Sequence, residues 1–400
     1  MARSWMCVLV LTLPAFAFAD SRDARPPISG GSAAAGGAHS VLSLPDGRVL
    51  AWGKGSQGQL GNGDQRSRSA PTPVAGLSDI TMVAAGSAHS LARSSAGLVY
   101  AWGANGSGQL GDGSIATRRR PVPVLLLKNV VSIAAGRTHS LALTADGRVF
   151  SWGANDQGQL GLGSTLDVTI PTEITTLSGI AAIAAGHSHS LAITRDGELF
   201  AWGGNAHGQL GDGSRADRVT PMRINLDVVI AVAAGRSHTL ALLRTGEVYS
   251  WGRGTFGQLG TGSARFETKP QLIAGLKAIA IETGANFSAA VRTDRVLVTW
   301  GVNRSGQLGD GTTITRPRPV EVRGLVAIST LALGDAHAIA VTSDGSVHIW
   351  GNRSTTPLTT ISGIANWGPP LGTVESPAIE PPGGLYNTAQ IVALKTNGNT

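Results

Sequence analysis

The sequence predicts an all-β fold, a seven-bladed β-propeller of four-stranded antiparallel blades, and three observations lead to it. Trp-Gly recurs at Trp52, Trp102, Trp152, Trp202, Trp251, Trp300 and Trp350, at spacings of 49 or 50 residues. An internal period of that length marks an array of like modules. The chain holds 55 glycines and only 14% charged residues, and its apolar residues fall in short Val, Ile, Leu and Ala runs bounded by Gly, Pro and Asp-Gly. That pattern belongs to strands and tight turns. Six copies of Gly-Gln-Leu-Gly follow the tryptophans, with their leucines at Leu60, Leu110, Leu160, Leu210, Leu259 and Leu308.

The third copy shows how each element is justified. Val130–Ala135 reads as a first strand, Gly136-Arg137-Thr138 as a turn and His139–Thr144 as a second strand. Asp146-Gly147 suits the two-residue hairpin that joins antiparallel strands. Residues 149–152 form the third strand, a glycine-rich loop runs over 153–163, and near Pro171 the chain enters a fourth strand. The tryptophans close the third strands, where each ring can be buried between neighbouring sheets. Asn105, Asn155, Asn205 and Asn303 stand three residues after a tryptophan, where an amide ties down loop backbone.

The repeat occupies residues 34–366, and both ends depart from it. After Trp350-Gly351 there is no Gly-Gln-Leu-Gly, although 357–361 resembles a fourth strand. Residues 367–400 are an irregular Pro- and Gly-rich segment containing the strand-like 390–396. A first strand is missing from copy one, so 390–396 is expected either to clasp the ring shut or to begin an incomplete eighth repeat. An open ring would expose strand edges.

Residues 1–19 have the form of a signal peptide: a basic start at Arg3, an apolar stretch over 5–13 and the small residues of Ala17-Phe18-Ala19. Cleavage is expected before Asp20, leaving a linker over 20–33 and a protein exported to the periplasm or beyond. The single cysteine, Cys7, would leave with the signal. Disulfides, cysteine metal sites and cysteine nucleophiles are then excluded from the mature chain. No stretch after residue 20 has the roughly 18 apolar residues that span a bilayer.

Each copy is a variant of G-x-x-H-S-L-A-L-T-x-D-G-x-V-x-x-W-G-x-N-x-x-G-Q-L-G-x-G. This string resembles the repeat of the regulator of chromosome condensation family of seven-bladed propellers, here in an exported, bacterial-type form. The resemblance implies a propeller that binds or regulates other proteins. Among such relatives are a guanine-nucleotide exchange factor for a small nuclear GTPase and secreted bacterial inhibitors of β-lactamase. Exchange requires a nuclear address and a projecting catalytic hairpin, and this sequence shows neither.

Constellations that could carry chemistry have a simpler reading. His39, His89, His139, His189, His238 and His337 occupy one motif position, with Phe287 in the remaining copy. Equivalent sites on different blades do not converge on one metal ion, and a phenylalanine among them suits packing. Gly-Asp-Gly at 111–113, 211–213 and 309–311 lacks the Lys-Ser/Thr of a phosphate loop and the downstream acid of a calcium loop, so these are turns. No catalytic set converges. The chain is read as a non-enzymatic binding module without cofactor or metal.

Function is therefore sought where the copies differ. Strand alternation brings the G-x-x-H turn and the loop after Trp-Gly to one face. Lys54, Arg137, His187, Arg236, Arg253 and Arg304 lie there, and the segments after Gly-x-Gly add Arg118, Arg119, Arg120, Arg215, Arg218, Arg316 and Arg318. Phe256 and Phe266 lie on the fifth copy's long loop. Arginine and aromatic residues on a rigid face make binding hot spots. The expected partner is a protein or an acidic envelope polymer held by an arginine rim, with the chain itself monomeric. The charge is +7, but basic residues that are nearly all arginine also follow from genome composition, so nucleic acid is the weaker expectation.

N-terminal sequencing of the exported protein is expected to start at Asp20 or within a few residues of it. Recovery of intact Met1 from envelope or culture protein would overturn the export reading.

Overall fold

A computed structural model describes residues 32–352 and the backbone of Thr359–Ile361. The signal segment 1–19 with Cys7, the linker up to residue 31, and 362–400 with the expected clasp at 390–396 lie outside the described residues. Seven blades surround a central channel. In every blade the first strand lines the channel and the remaining three follow outward in sequence order.

Blade 3 matches its sequence reading, with strands Val130–Ala135, His139–Thr144, Val149–Gly153 and Val168–Glu173. Its hairpin turns at Gly147, where φ is +85°, and Gly147 N donates to the Thr144 carbonyl at 2.9 Å. Copy one does have a first strand, contrary to expectation. Ala33–Ala35 pairs antiparallel with His39–Ser43. Three alanines carry little β propensity, and only the neighbouring strands make this stretch extended. Blade 7 consists of Ile328–Leu333, His337–Thr342, Val347–Gly351 and Thr359–Ile361, the last where the sequence placed it.

One strand was not foreseen. Glu267–Thr283 runs for 17 residues. Its start is the fourth strand of blade 5 and, from Ala278, it is the first strand of blade 6, which merges the two blades into a seven-stranded sheet. The residues between Leu272 and Lys277 bulge away from Glu247–Gly252, with Gly275 at φ +78°.

Apolar burial holds the ring together. Each seam between consecutive blades contains its own buried cluster, and the last one packs Ala33, Leu42, Leu50 and Trp52 of blade 1 against Ala332, Ile339 and Val347 of blade 7. Closure is thus made by side chains of two complete blades. Leu60 and Trp102 share the first seam, Leu110 and Trp152 the second. Each tryptophan buries its ring against the blade before it, the placement expected from the sequence.

A polar relay crosses the same seams. Trp102 Nε1 donates to the Gln59 carbonyl of the preceding blade at 2.8 Å. Ser90 Oγ donates to that carbonyl at 2.9 Å, and His39 Nε2 lies 2.9 Å from Ser90 Oγ. The serine has spent its only proton on the carbonyl, so Nε2 is the protonated nitrogen of the histidine. Equivalent links join His89 to Ser140, His139 to Ser190, His189 to Thr239 and His238 to Ser288. His337 reaches Ser40 at 3.0 Å and closes the circle. At the remaining seam Phe287 replaces the histidine and Ala338 replaces the serine. Both partners are lost together, so no buried polar group is stranded. The histidines point across the seams, which is why they form no metal ring. Glycine precedes each of them by three residues for lack of space: a Cβ on Gly86 would stand 2.2 Å from His89 Cε1 and 2.4 Å from the Gly136 carbonyl.

The relay makes the fold acid-sensitive. Nδ1 of all six relay histidines is buried without a hydrogen-bond partner. Burial pushes His39, His89, His139, His189 and His238 down to about 3 from an ordinary 6.5, and His337 to about 4. The unfolded chain takes up these protons first. Stability from this source is therefore complete above pH 6.5 and falls as pH drops toward 3, by about 1.4 kcal/mol per pH unit per histidine. Glu282, pushed up to about 8 by its burial, acts in the opposite sense, losing stability as pH rises from 4.5 to 8, but it is one group against six. The midpoint of urea unfolding is expected to fall steeply between pH 7 and pH 5. A midpoint unchanged over that interval would show the histidines to be exposed or free to ionise.

Candidate functional site

The alternation of strands places the turn between first and second strands, and the loop between third and fourth, on one face. Strand ends hold this face rigid. Leu110 N donates to Asn105 Oδ1 at 2.9 Å while Asn105 Nδ2 donates to the Ser114 carbonyl at 3.0 Å, and Asn155, Asn205 and Asn303 do the same in their copies.

The arginine rim resolves into three groups with different roles. Arg118, Arg218 and Arg316 each pair at 2.7 Å with the aspartate of their own Gly-Asp-Gly: Asp112, Asp212 and Asp310, whose side chains are 7%, 1% and 6% exposed. Burial alone would raise Asp112, but the hydrogen bonds from Ser114 and Arg118 hold it below the usual carboxylate range. The sequence placed these three residues in a binding rim, but they are part of the packing of their own blades. The guanidinium is the counter-charge that keeps a buried carboxylate ionised. The sequence held a signal for this pairing. Copies 2, 4 and 6 carry both Asp and Arg, whereas copies 3 and 5 carry neither, with Leu162 and Val168 or Thr261 and Glu267 instead.

Arg119, Arg120 and Arg318 form the second group, exposed on the outermost strands. Arg120 lies across the loop of the preceding blade, where a Cβ on Gly63 would be 3.0 Å from its guanidinium, and Arg318 lies likewise over Gly262. Arg304 is exposed on the loop of blade 6.

The third group clusters over blades 3 to 5. Arg137, His187 and Arg236 follow the turn glycines of consecutive blades at the channel mouth, with Asp335 on blade 7 beside them. Burial, then Arg137 and Arg236, lowers His187 to about 4, so it is neutral near pH 7. Burial raises Asp335 against the opposing pull of the same two arginines. The channel beneath is lined largely by alanines, and Glu282 stands where every other blade has an alanine. Its volume of about 180 Å³ admits a few waters at ~30 Å³ each and no macromolecule.

Farther out, the long loops of blades 4 and 5 bring cations and rings together. The His207 ring stacks on Phe266 with centroids 5.3 Å apart and planes at 7°. Arg215 lies 5.2 Å from the centre of the Phe266 ring, and Arg253 lies 4.8 Å from that of Phe256. Burial, followed by Arg253 and Arg215, lowers the pKa of His207. Phe266 is 40% exposed and Phe256 half-buried. The sequence reading named Arg215, Arg253, Phe256 and Phe266, which come together here, but it gave no role to His207, Asp335 or Glu282. His207 was legible as the only aromatic ring in its position besides Phe256. Among the described residues no three His, Cys, Asp or Glu side chains are placed to hold a metal ion, and no helix is long and apolar enough to cross a membrane.

The RCC1-like domain family matches residues 20–330, and the regulator of chromosome condensation (RCC1) repeat matches residues 328–354. The RCC1 domain-containing protein RUG3, mitochondrial, of Arabidopsis thaliana is 42% identical over 50 residues, which is 12% of this chain and 11% of that protein. The match therefore spans about a tenth of that relative. Human WBSCR16 superposes with a TM-score of 0.72 at 27% identity, covering 78% of this chain and 87% of its own. Prp20p of Saccharomyces cerevisiae, described for its binding to Gsp1p and histones, gives 0.68 at 26% identity, covering 77% and 81%.

Arg118→Ala is expected to lower stability by about 1–3 kcal/mol, because it leaves the Asp112 carboxylate buried without its cation. Arg119→Ala, one residue along and exposed, is expected to leave the melting temperature nearly unchanged. Equal melting temperatures for the two variants would return Arg118 to the list of free surface charges.

Proposed function

This chain belongs to the RCC1-like domain family, and we propose that it works as a non-catalytic binding module whose loop face engages another protein. The observation that carries this reading is an asymmetry. Across a scaffold built from near-identical repeats, aromatic rings and the arginines that lie over them come together on the long loops of blades 4 and 5, while Arg118 and Arg316 beside the long loops of blades 2 and 6 pair with aspartates. Nothing in the packing of the blades calls for that concentration. Rigid aromatic and arginine side chains on a fixed surface bind with little ordering cost.

Export follows from the N-terminal segment and would place the partner in the envelope or outside the cell. Protein binding by Prp20p, to Gsp1p and histones, supports a protein partner over an envelope polymer. The test is retention of proteins from an envelope extract on the immobilised chain. Retention is expected to disappear with Arg236→Glu combined with Phe256→Ala, both on the loop face. It is expected to persist with Arg148→Glu, at the Asp146-Gly147 hairpin of the opposite face. Loss through Arg148→Glu alone, or no difference between the two variants, would overturn the proposal.

A further inference from the structure

We infer that the long loops of blades 4 and 5 form a receptor for an acidic peptide segment, with a carboxylate held by Arg215 and Arg253 and an adjoining apolar side chain resting on Phe266. This inference rests on the loop-face reading and gives it a chemistry. Its first support is positional. The residue before the glycine of Gly-Gln-Leu-Gly is Gln57, Ser107, Gln157 and Ser305 in copies 1, 2, 3 and 6, but His207 and Phe256 in copies 4 and 5. Rings enter this position only in two adjacent blades, and His207 meets Phe266 across the seam between blades 4 and 5. Arg215 likewise stands where other copies have Gln65, Ile115, Thr165, Ala264 and Thr313.

The second support is preorganisation. Arg215 Nε donates to the Ala206 carbonyl at 2.8 Å and Arg253 Nε donates to Thr255 Oγ1 at 2.9 Å, while each guanidinium lies over a phenylalanine ring. Neither forms an ion pair with a described residue, unlike Arg218 three positions beyond Arg215. Two guanidinium groups so fixed retain their terminal nitrogens as donors, the fork that matches a carboxylate. Both charges bear on His207, so they flank one small area. Phe266, exposed and backed by the His207 ring, supplies apolar surface beside it. A nucleic acid strand needs cations along its length, whereas Asp217 and Glu267 border this patch and Arg218 is occupied by Asp212. A short acidic segment fits the available charge.

The experiment uses the purified full chain and three fluorescein-labelled probes, read by anisotropy: a peptide of alternating Glu and Leu, the same peptide with Gln for Glu, and an oligothymidylate. The Glu-Leu peptide is expected to bind, to weaken as salt rises, and to lose at least about tenfold in affinity with Arg215→Gln combined with Arg253→Gln. The Gln-Leu peptide and the oligothymidylate are expected to bind at least about tenfold more weakly than the Glu-Leu peptide. Arg119→Gln combined with Arg120→Gln serves as a control of equal charge change and is expected to bind as the parent does. Should the double variant melt early, Phe266→Ala tests the same surface without altering charge. Equal binding of the Glu and Gln peptides, no binding of either, unchanged binding by the double variant, or preferential binding of oligothymidylate would overturn the inference. If the peptide fails while protein retention still depends on Arg236 and Phe256, the loop-face reading stands and only its proposed chemistry falls.

Discussion

Six of the seven seams depend on one backbone carbonyl, that of the glutamine in Gly-Gln-Leu-Gly. The Gln59 carbonyl accepts the indole of Trp102 and the hydroxyl of Ser90, and Ser90 in turn accepts from His39. A single acceptor thus fixes a tryptophan, a second strand and the neighbouring blade's histidine at once, inside a cluster of buried aliphatic side chains. The loop that presents this carbonyl is the loop that also presents residues to solvent. Packing and surface are therefore coupled by construction: the inner part of the loop cannot vary without opening a seam, and its outer part can vary almost without constraint.

The parts legible in the sequence are those dictated by periodicity and by turn chemistry. Trp-Gly spacing, Asp-Gly hairpins and the asparagine three residues after four of the tryptophans settle blade number, strand order and loop geometry, because each acts within one repeat. What escaped acts between repeats or against propensity. Ala33–Ala35 is extended because blades 1 and 7 hold it so, and Glu267–Thr283 is continuous because its turn became a bulge. The pairing of Asp112 with Arg118 was readable only by comparing copies, since both residues are ordinary loop residues when met singly.

The candidate site was legible as a face and not as a place. Arginines counted along the sequence make an even rim, but counting ignores neutralisation. Once Arg118, Arg218 and Arg316 are assigned to buried aspartates, what sets blades 4 and 5 apart is the placement of Arg215 and Arg253 over aromatic rings. The stacked rings of His207 and Phe266 then distinguish the seam between blades 4 and 5 from the other six. Electrostatic steering by such a patch is directional, unlike that of a uniform ring, so the disc would present one sector of its rim to an approaching partner.

The substitution of Phe287 and Ala338 for a histidine and a serine shows that the seam has two interchangeable fillings. The polar filling orients its partners through hydrogen bonds and carries a titratable ring; the apolar one fills the volume and is indifferent to protons. Both occur in one molecule at homologous sites, with the tryptophan still bound to its carbonyl, here Gln307 to Trp350. The histidine–serine pair is therefore a modular cassette, and exchanging it seam by seam for phenylalanine and alanine offers a graded route to a propeller suited to acidic surroundings, leaving the outer loops and whatever they recognise untouched.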